Sequence, residues 1–357
     1  MPIITANPLL GIALHAVGAF FAATCYTPQK HVKRWSWQTY WMTQAAFCWF
    51  LLPILGALLT IPHLGTVLSE APPEAMRNAF LLGALYGVGG TAFGLAIKHI
   101  GFSLTYAIAV GLSGVVGTLV PPLLKGTLGA ILAQTGGGWV LLGVGVGTVG
   151  IAVCGVAGRS KEVDVQGQEA SKGFSLRKGL PVALLAGVLS AVYGLALDAG
   201  KPIAEVAFQH GADIWKGNVV YIFSNSGAFL TTLVYCLYLH AKHKTIGELV
   251  KLPAGEERAS LPVNFSMAVL TGLFWYGQFF FYNLGNVRMG HFEFTSWAIH
   301  MTMLVLFSSV VGVVLKEWLG CRPRTRWTLI LALAILVGAI LLLAYGNHIG
   351  QMAAESS

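Results

Sequence analysis

Residues 139–158 read WVLLGVGVGTVGIAVCGVAG, an apolar stretch without one charged side chain. A helix needs roughly 20 such residues to cross a bilayer, because hydrocarbon offers no partner for an unpaired backbone N–H or C=O group. The whole chain has the same character, with 357 residues of which 55% are hydrophobic and 10% charged. Soluble domains are charged at roughly a quarter of their positions. The sequence therefore predicts an all-α integral membrane protein.

Apolar runs separated by polar breaks predict ten transmembrane helices, near residues 8–27, 38–60, 77–98, 101–123, 138–158, 179–199, 217–240, 263–286, 294–318 and 326–346. A long polar stretch divides them into five spans within residues 1–158 and five within residues 179–357, with residues 159–178 as a cytoplasmic linker. An odd number of spans in each half places the two halves in opposite orientations across the membrane.

Matching places in the two halves carry similar residues. The pairs are SGVVG at 113–117 with SSVVG at 308–312, Gly83 and Gly101 with Gly272 and Gly290, and Gly18 and Ala22 with Gly187 and Ala191. Each pairing joins spans that are five helices apart. The sequence therefore predicts two inverted five-helix repeats, an architecture that suits alternating access around a site near the membrane midplane.

The basic residues are divided unequally between the two ends of the spans. Of the 22 Lys and Arg residues, 17 lie on one side, and the other side holds Arg77, Lys125, Lys201, Lys216 and Arg288. Because cytoplasmic loops carry the excess of Lys and Arg, both termini are predicted to face outward, the periplasmic side of a bacterial-type inner membrane. Orientation also explains the formal charge of +8 without a nucleic-acid partner, since the basic residues form no stripe with interleaved aromatic residues.

The motif Gly145-x-Gly147-x-x-Gly150, followed by Glu169, satisfies a dinucleotide-binding pattern. That pattern needs a strand, a tight turn and an open helix N-terminus, whereas these glycines lie in the middle of an apolar span. Gly143 and Gly147 have the spacing of small residues at close helix contacts. The sequence therefore favours helix packing over a cofactor site.

Catalytic motifs are missing from the sequence. It has no Gly-x-Ser-x-Gly elbow and no His-Glu-x-x-His, and its five cysteines lack metal-ligand spacing. The expectation is a protein that is not an enzyme and holds neither a cofactor nor a metal. Since no ATP-binding loop is present either, uphill transport would draw on an ion gradient, and ionisable groups at membrane depth become the residues of interest.

Two helical faces carry candidate substrate-binding residues. Trp297 and His300 follow Glu293 at i+4 and i+7 in span nine, and span eight presents Trp275, Gln278 and Tyr282 at i, i+3 and i+7. A sugar suits such faces, because its hydroxyls need hydrogen-bond partners while its C–H faces pack against aromatic rings. The alternative is that Trp275 and Tyr282 are interfacial belt residues and that Gln278 bonds a neighbouring helix.

His15 in span one is a further predicted substrate-binding residue, with a packing role as its alternative. Proton coupling needs a group that titrates near the working pH, and a histidine near about 6.5 meets that condition more easily than a glutamate near about 4.3. The predicted coupling residues are Glu293 and His300, with His15 and Asp198 in reserve. The competing explanations are ion pairs of Glu293 with Arg288 and of Asp198 with Lys201 at helix ends.

At these residues the chain resembles the L-rhamnose-proton symporter family, within the drug/metabolite transporter superfamily. The similar stretches are HAVGA at 15–19 with Cys25-Tyr26, KRWSW at 33–37, VGTL at 116–119, WY at 275–276 with QFFFY at 278–282, SW at 296–297 with HM at 300–301, and VLKEW at 314–318. The resemblance implies a five-plus-five helix transporter in the membrane that moves L-rhamnose or a related deoxysugar inward with a proton.

The chain also departs from the family pattern. Gly89-Gly90-Thr91 and Phe93 stand where an Asn-containing stretch and a Tyr are expected, and Asp198 stands in place of an uncharged Asn. The substrate can therefore differ from that of the family while the transport mechanism stays the same. An exporter of a small metabolite or drug with the same fold is the alternative function, and the polar aromatic faces favour a sugar.

Overall fold

The computed structural model describes residues 6–166, 175–255 and 258–356. Within these residues the chain is helical and contains no β-strand. The α-helices are α1 (Pro8–Thr24), α2 (Trp37–Ala45), α3 (Leu52–Thr60), α4 (Leu64–Glu70), α5 (Pro73–Thr105), α6 (Gly111–Leu124), α7 (Leu128–Ala133), α8 (Gly137–Gln166), α9 (Leu176–Ala199), α10 (Lys201–Gln209), α11 (Val220–His243), α12 (Leu261–Asn286), α13 (Ser296–Val314) and α14 (Pro323–Ser356). Two π-helical segments, Ala46–Leu51 and Tyr106–Val110, join α2 to α3 and α5 to α6.

In the described part of the chain, nine helical stretches are long and apolar enough to cross a membrane. They are Pro8–His31, Trp37–Thr60, Pro73–Ile97, Tyr106–Leu124, Gly137–Asp164, Arg177–Gln209, Asp213–His243, Phe292–Val314 and Pro323–Ser356. The predicted eighth span corresponds to α12, whose amide and polar aromatic side chains lower its hydropathy. The prediction of an all-α chain with many apolar helices is confirmed, and the count of ten spans stays a prediction.

The structure differs from the sequence-based prediction in three respects. The expected break between spans three and four is a kink inside α5 at Gly101, where φ is 75° and ψ is 171°. Glycine fits there because it adopts positive φ without steric cost and because the Glu162 carboxylate occupies the space of a Cβ. The short helices α4, α7 and α10 form in segments predicted as loops, and α14 continues ten residues past position 346.

The chain forms two compact units. Unit 1 comprises Met1–Ala23, Gly89–Gly194 and Phe281–Ser357, and unit 2 comprises Thr24–Val88 and Leu195–Phe280. Each unit takes segments from both halves of the sequence, so this division does not test the predicted repeat boundaries. Of the predicted linker, residues 159–166 belong to α8, and residues 167–174 lie outside the described part.

In unit 1, α8 packs closely against α14 through its glycines. A Cβ at Gly143 would lie 3.0 Å from the Leu343 backbone nitrogen, and one at Gly150 would lie 2.8 Å from Leu336 Cδ2. Contacts of this closeness require glycine. The packing interpretation is confirmed for Gly143, Gly147 and Gly150, whereas a Cβ at Gly145 would meet nothing within 4 Å. All four glycines lie inside one continuous helix. Glu169, the last residue of the dinucleotide pattern, lies outside the described residues.

In unit 1, carboxylates join the end of α8 to the start of α14 and to the segment before it. Asp164 Oδ2 accepts hydrogen bonds from the Arg322 backbone N–H at 3.0 Å and from Thr325 Oγ1 at 2.6 Å. The first bond satisfies the backbone N–H of the residue before α14, one of the donors that have no partner within a helix. The second ties the Thr325 hydroxyl in the first turn to the same carboxylate. Lys161 Nζ pairs with Glu317 Oε2 at 3.1 Å, so the end of α8 is tied to the segment that precedes α14.

In unit 2 a carboxylate likewise accepts hydrogen bonds at the start of α2. Glu248 Oε2 accepts hydrogen bonds from the Ser36 backbone N–H at 2.7 Å and from Thr39 Oγ1 at 2.5 Å. A carboxylate at this position favours the helix both by accepting from unpaired donors and by complementing the positive end of the helix dipole. The segment after α11 thus fixes the start of α2.

Candidate functional site

Four of the predicted substrate-binding side chains meet in unit 1. The ring of Tyr282 on α12 lies 5.1 Å from the ring of His15 on α1 and 5.5 Å from that of His300 on α13, measured between centroids. The ring of Trp297 lies 5.8 Å from Tyr282. We call His15, Tyr282, Trp297 and His300 the histidine-aromatic cluster. Its side chains come from α1 and from the consecutive helices α12 and α13, although the sequence alone placed only Trp297 and His300 on one helix face.

His15 reaches α12 because two glycines remove the side chains between α1 and α12. A Cβ at Gly285 would lie 3.0 Å from both Cε1 and Nε2 of His15 and 2.8 Å from the carbonyl oxygen of Gly11. Neither distance leaves room for a methyl group beside a rigid backbone. Gly285 therefore positions the His15 imidazole against Tyr282.

Trp297 is fixed by α6. Its Nε1 donates a hydrogen bond to the carbonyl oxygen of Ser113 at 3.0 Å. A Cβ at Gly117 would lie 2.5 Å from Nε1 and 2.7 Å from Cδ1 of the same indole, so glycine is required for the ring to lie where it does. On its other side the Trp297 ring lies 6.4 Å from the ring of Tyr193.

Several buried polar atoms of unit 1 have no hydrogen-bond partner among the described residues. They are both ring nitrogens of His15 and of His300, Arg288 Nε, and the hydroxyl oxygens of Thr105, Ser113, Thr118 and Ser296. Buried polar groups are nearly always paired, so the four unpaired ring nitrogens of the adjacent His15 and His300 favour a polar guest beside them. A guest rich in hydroxyls both donates and accepts, which is what imidazoles and hydroxyls together require.

These four hydroxyl residues were not identified as functional from the sequence. The signal available for them was a hydroxyl inside an apolar span, which needs a partner at membrane depth. That signal is weak, because Ser and Thr also bond the carbonyl one turn back in their own helix. Ser113 stands out in the structure since its carbonyl holds Trp297 while its hydroxyl remains unpaired.

Glu293 differs in position from the sequence-based expectation. It lies in the 3₁₀ segment Gly290–Thr295 before α13, where Phe292 has non-helical φ and ψ of −106° and 34°. The α-helical spacing that aligned it with Trp297 therefore does not hold. Its Oε1 accepts a hydrogen bond from Asn286 Nδ2 at 3.0 Å.

Unit 2 contains the other two predicted substrate-binding residues. The Trp275 ring lies 4.8 Å from Phe279 and 5.4 Å from Trp49, and Tyr86 lies 6.4 Å from Trp275. Gln278 on the same helix is 6% exposed, and its side chain has no hydrogen-bond partner within the described ranges. Trp49 and Tyr86 were not identified from the sequence. Trp49 lies in the π-helical segment Ala46–Leu51, a backbone form that is frequent at functional sites.

Asp198 forms the ion pair with Lys201 that the sequence predicted. The distance from Lys201 Nζ to Asp198 Oδ1 is 3.2 Å, and the lysine side chain is 60% exposed. An exposed pair of this kind is a feature of a helix end.

The family described as L-rhamnose-proton symport protein (RhaT) matches this chain over residues 4–354. The chain belongs to this family. An L-rhamnose-proton symporter from Cronobacter sakazakii (strain ATCC BAA-894) is 35% identical over 347 residues, which cover 96% of each chain. Proteins with the same description from Shigella dysenteriae serotype 1 (strain Sd197) and Yersinia pestis (strain Pestoides F) are each 33% identical over 96% of this chain and 97% of their own.

The fold is also similar to a solved structure. A protein crystal structure superposes with a TM-score of 0.55 at 16% identity, covering 94% of this chain and 96% of the other. A likeness at this identity concerns the fold alone. Membership of the symporter family and the nine apolar helices of the described residues make this chain a multi-pass membrane protein.

Proposed function

We propose that this protein is a secondary active transporter that imports L-rhamnose or a related deoxysugar together with a proton. The observation that carries the proposal is the family match over residues 4–354, together with relatives named L-rhamnose-proton symporters across 96% of the chain. The histidine-aromatic cluster supports it, because a deoxysugar presents both hydroxyls and a methyl group. We propose further that the protein belongs to the drug/metabolite transporter superfamily and lies in a bacterial-type inner membrane with both termini periplasmic.

The proposed substrate-binding residues are His15, Tyr282, Trp297 and His300 in unit 1 and Trp275 and Gln278 in unit 2. The indole and phenol rings offer flat surfaces for the C–H faces and the methyl group of the sugar. The unpaired ring nitrogens of the two histidines offer hydrogen-bond partners for its hydroxyls. Sites of this composition, mainly apolar with a few placed polar groups, are typical of small-molecule binding.

The proposed inverted repeat is supported by two helix contacts. A Cβ at Gly83 in span three would collide with the backbone carbonyl of Ser224 in span seven, and one at Gly272 in span eight would lie 2.6 Å from the Cβ of Phe47 in span two. Adding five to each span number turns the contact between spans three and seven into one between spans eight and twelve. When the numbering restarts after ten, span twelve is span two, so the first contact corresponds to the second. The two glycines are those paired in the sequence comparison.

A backbone feature supports the same relation. Gly101 and Gly290, paired in the sequence, both have positive φ, at 75° and 60°. Each precedes the span that carries one of the matched motifs at 113–117 and 308–312. Ten helices in a five-plus-five arrangement are therefore proposed, with α12 as the eighth span.

Proton coupling is proposed for Glu293 or His300. His15 remains a reserve candidate because it belongs to the same cluster as His300. Asp198 is a weaker candidate, since its carboxylate is already paired with Lys201.

Rhamnose should compete for uptake far better than glucose in liposomes that contain the purified protein. The concentration of unlabelled L-rhamnose that halves the uptake of labelled L-rhamnose should be about tenfold or more lower than the concentration of D-glucose that does so. The reason is that a misplaced group in a fitted site costs about 1 to 3 kcal/mol. The measurement is a competition curve for each sugar. The sugar assignment is wrong if excess rhamnose leaves binding of the true substrate unchanged.

A further inference from the structure

His15 and His300 are both fully buried, at 0% exposure. Their ring centroids lie 6.1 Å apart at an interplanar angle of 74°, and none of their four nitrogens has a hydrogen-bond partner in the described part of the chain. A neutral imidazole carries one N–H donor and one acceptor nitrogen. Two donors and two acceptors are therefore buried together without protein partners, which a purely structural pair of histidines would not retain.

The surroundings of the pair contain few other titratable groups. The Tyr282 ring lies beside both imidazoles, and no ion pair reaches either histidine within residues 6–166, 175–255 and 258–356. Glu293, which lies before α13, accepts a hydrogen bond from Asn286. The groups that can exchange a proton with His15 are thus His300, the Tyr282 phenol and a guest oxygen. Glu293 interacts electrostatically with Tyr282 and is the carboxylate nearest in this network.

We propose that His15 and His300 hold the transported proton jointly, through one oxygen of a water molecule or a sugar hydroxyl placed between them. This inference rests on the proposed function and narrows its coupling site to the pair. The geometry favours one shared proton over two separate ones. A protonated imidazole donates to the bridging oxygen, and that oxygen donates its own hydrogen to the neutral nitrogen of the other ring. A second proton would place two like charges close together away from water, which is unfavourable.

The proton balance of the cycle is simple. One N–H bond forms when the pair takes a proton from the outer side, and the same bond breaks when the proton leaves to the inner side. No other covalent bond changes. Because the bridging position also accepts a sugar hydroxyl, occupancy by sugar and by proton affect each other at the same two nitrogens.

The test uses the full-length protein in liposomes, with His15→Gln, His300→Gln and the double variant. Glutamine still donates and accepts hydrogen bonds but cannot take up the proton. Each single variant should therefore continue to exchange rhamnose, with weaker affinity, while the number of protons moved per rhamnose falls at least about tenfold. The double variant should have the same ratio as either single one.

Two further variants keep the test decisive. Gly285→Ala retains both imidazoles but displaces His15, so the proton-to-sugar ratio should fall although no titratable group is lost. His243→Gln changes an exposed histidine of α11 and should keep the parent ratio.

The outcomes separate this inference from the proposed function. A parent protein that moves rhamnose with protons, combined with a His15→Gln variant that keeps the parent ratio, overturns the shared site alone. Losses that add in the double variant would likewise contradict it, because they indicate two independent histidines. A parent protein that exchanges no rhamnose overturns the proposed function and the pair together.

Discussion

Gly117→Ala is expected to lower the affinity for L-rhamnose by about tenfold or more. The added Cβ would lie 2.5 Å from Trp297 Nε1, so the indole must move away from α6 and lose its hydrogen bond to the Ser113 carbonyl. Overpacking costs about 1 to 3 kcal/mol, and about 1.4 kcal/mol corresponds to a tenfold change in affinity. The measurement is equilibrium binding of labelled rhamnose to purified protein.

Gly145→Ala is the matched control for that experiment. Gly145 lies in the middle of α8 in the same unit, and a Cβ there would meet nothing within 4 Å. Its affinity for rhamnose should equal that of the parent. If Gly117→Ala also binds like the parent, Trp297 is a packing residue and the proposed role of the histidine-aromatic cluster is wrong.

Gln278→Ala is expected to weaken rhamnose binding by roughly fivefold to a hundredfold. The lost hydrogen bond is worth about 1 kcal/mol net, and about 1 to 3 kcal/mol where a buried partner is left unsatisfied. The folded protein should remain extractable in detergent, because the Gln278 side chain makes no hydrogen bond within the described residues. Binding and thermal unfolding of the same preparation separate the two effects.

Gln38→Ala provides the comparison for Gln278. Gln38 is also a buried glutamine of unit 2, at 7% exposure, but its Nε2 donates to Thr245 Oγ1 at 2.8 Å. The Gln38 variant should lose stability and keep its affinity, and the Gln278 variant should show the reverse. Equal affinities in the Gln278 variant and the parent would return Gln278 to a packing role.

Much of the fold could be predicted because the bilayer imposes long apolar helices. Stretches such as residues 139–158 have no other stable form in hydrocarbon, so their existence and approximate bounds followed from composition. The kink at Gly101 was harder to predict, since a glycine within an apolar run indicates close packing as often as a break. The short helix α10 was missed because it is too short and too polar to resemble a span.

The site was predictable one helix at a time. Helical spacing placed Trp297 and His300 on one face of α13, but nothing in the sequence indicated that His15 would lie beside Tyr282 and His300. That contact depends on Gly285 and Gly11, whose missing side chains let two helices approach. Sequence patterns record which residues share a helix face, whereas contacts between helices depend on packing that a single sequence does not specify.

Glu293 and Trp49 show why the other features of the candidate site could not be predicted from the sequence. The alignment of Glu293 with the α13 face assumed that the helix began before it, and the turn at Gly290 instead starts a 3₁₀ segment. Trp49 faces Trp275 from a π-helical segment, where the extra residue per turn changes the direction of each side chain. Both cases depend on local backbone geometry that periodicity in the sequence does not reveal.

The most direct test of coupled import is the external pH of a weakly buffered suspension of liposomes that contain the protein. With no imposed pH gradient, addition of L-rhamnose to the outside should make the medium more alkaline as sugar and protons enter together. D-Glucose, and rhamnose added to protein-free liposomes, should leave the pH constant. Rhamnose entry at constant external pH, or with acidification of the medium, would contradict proton-coupled import.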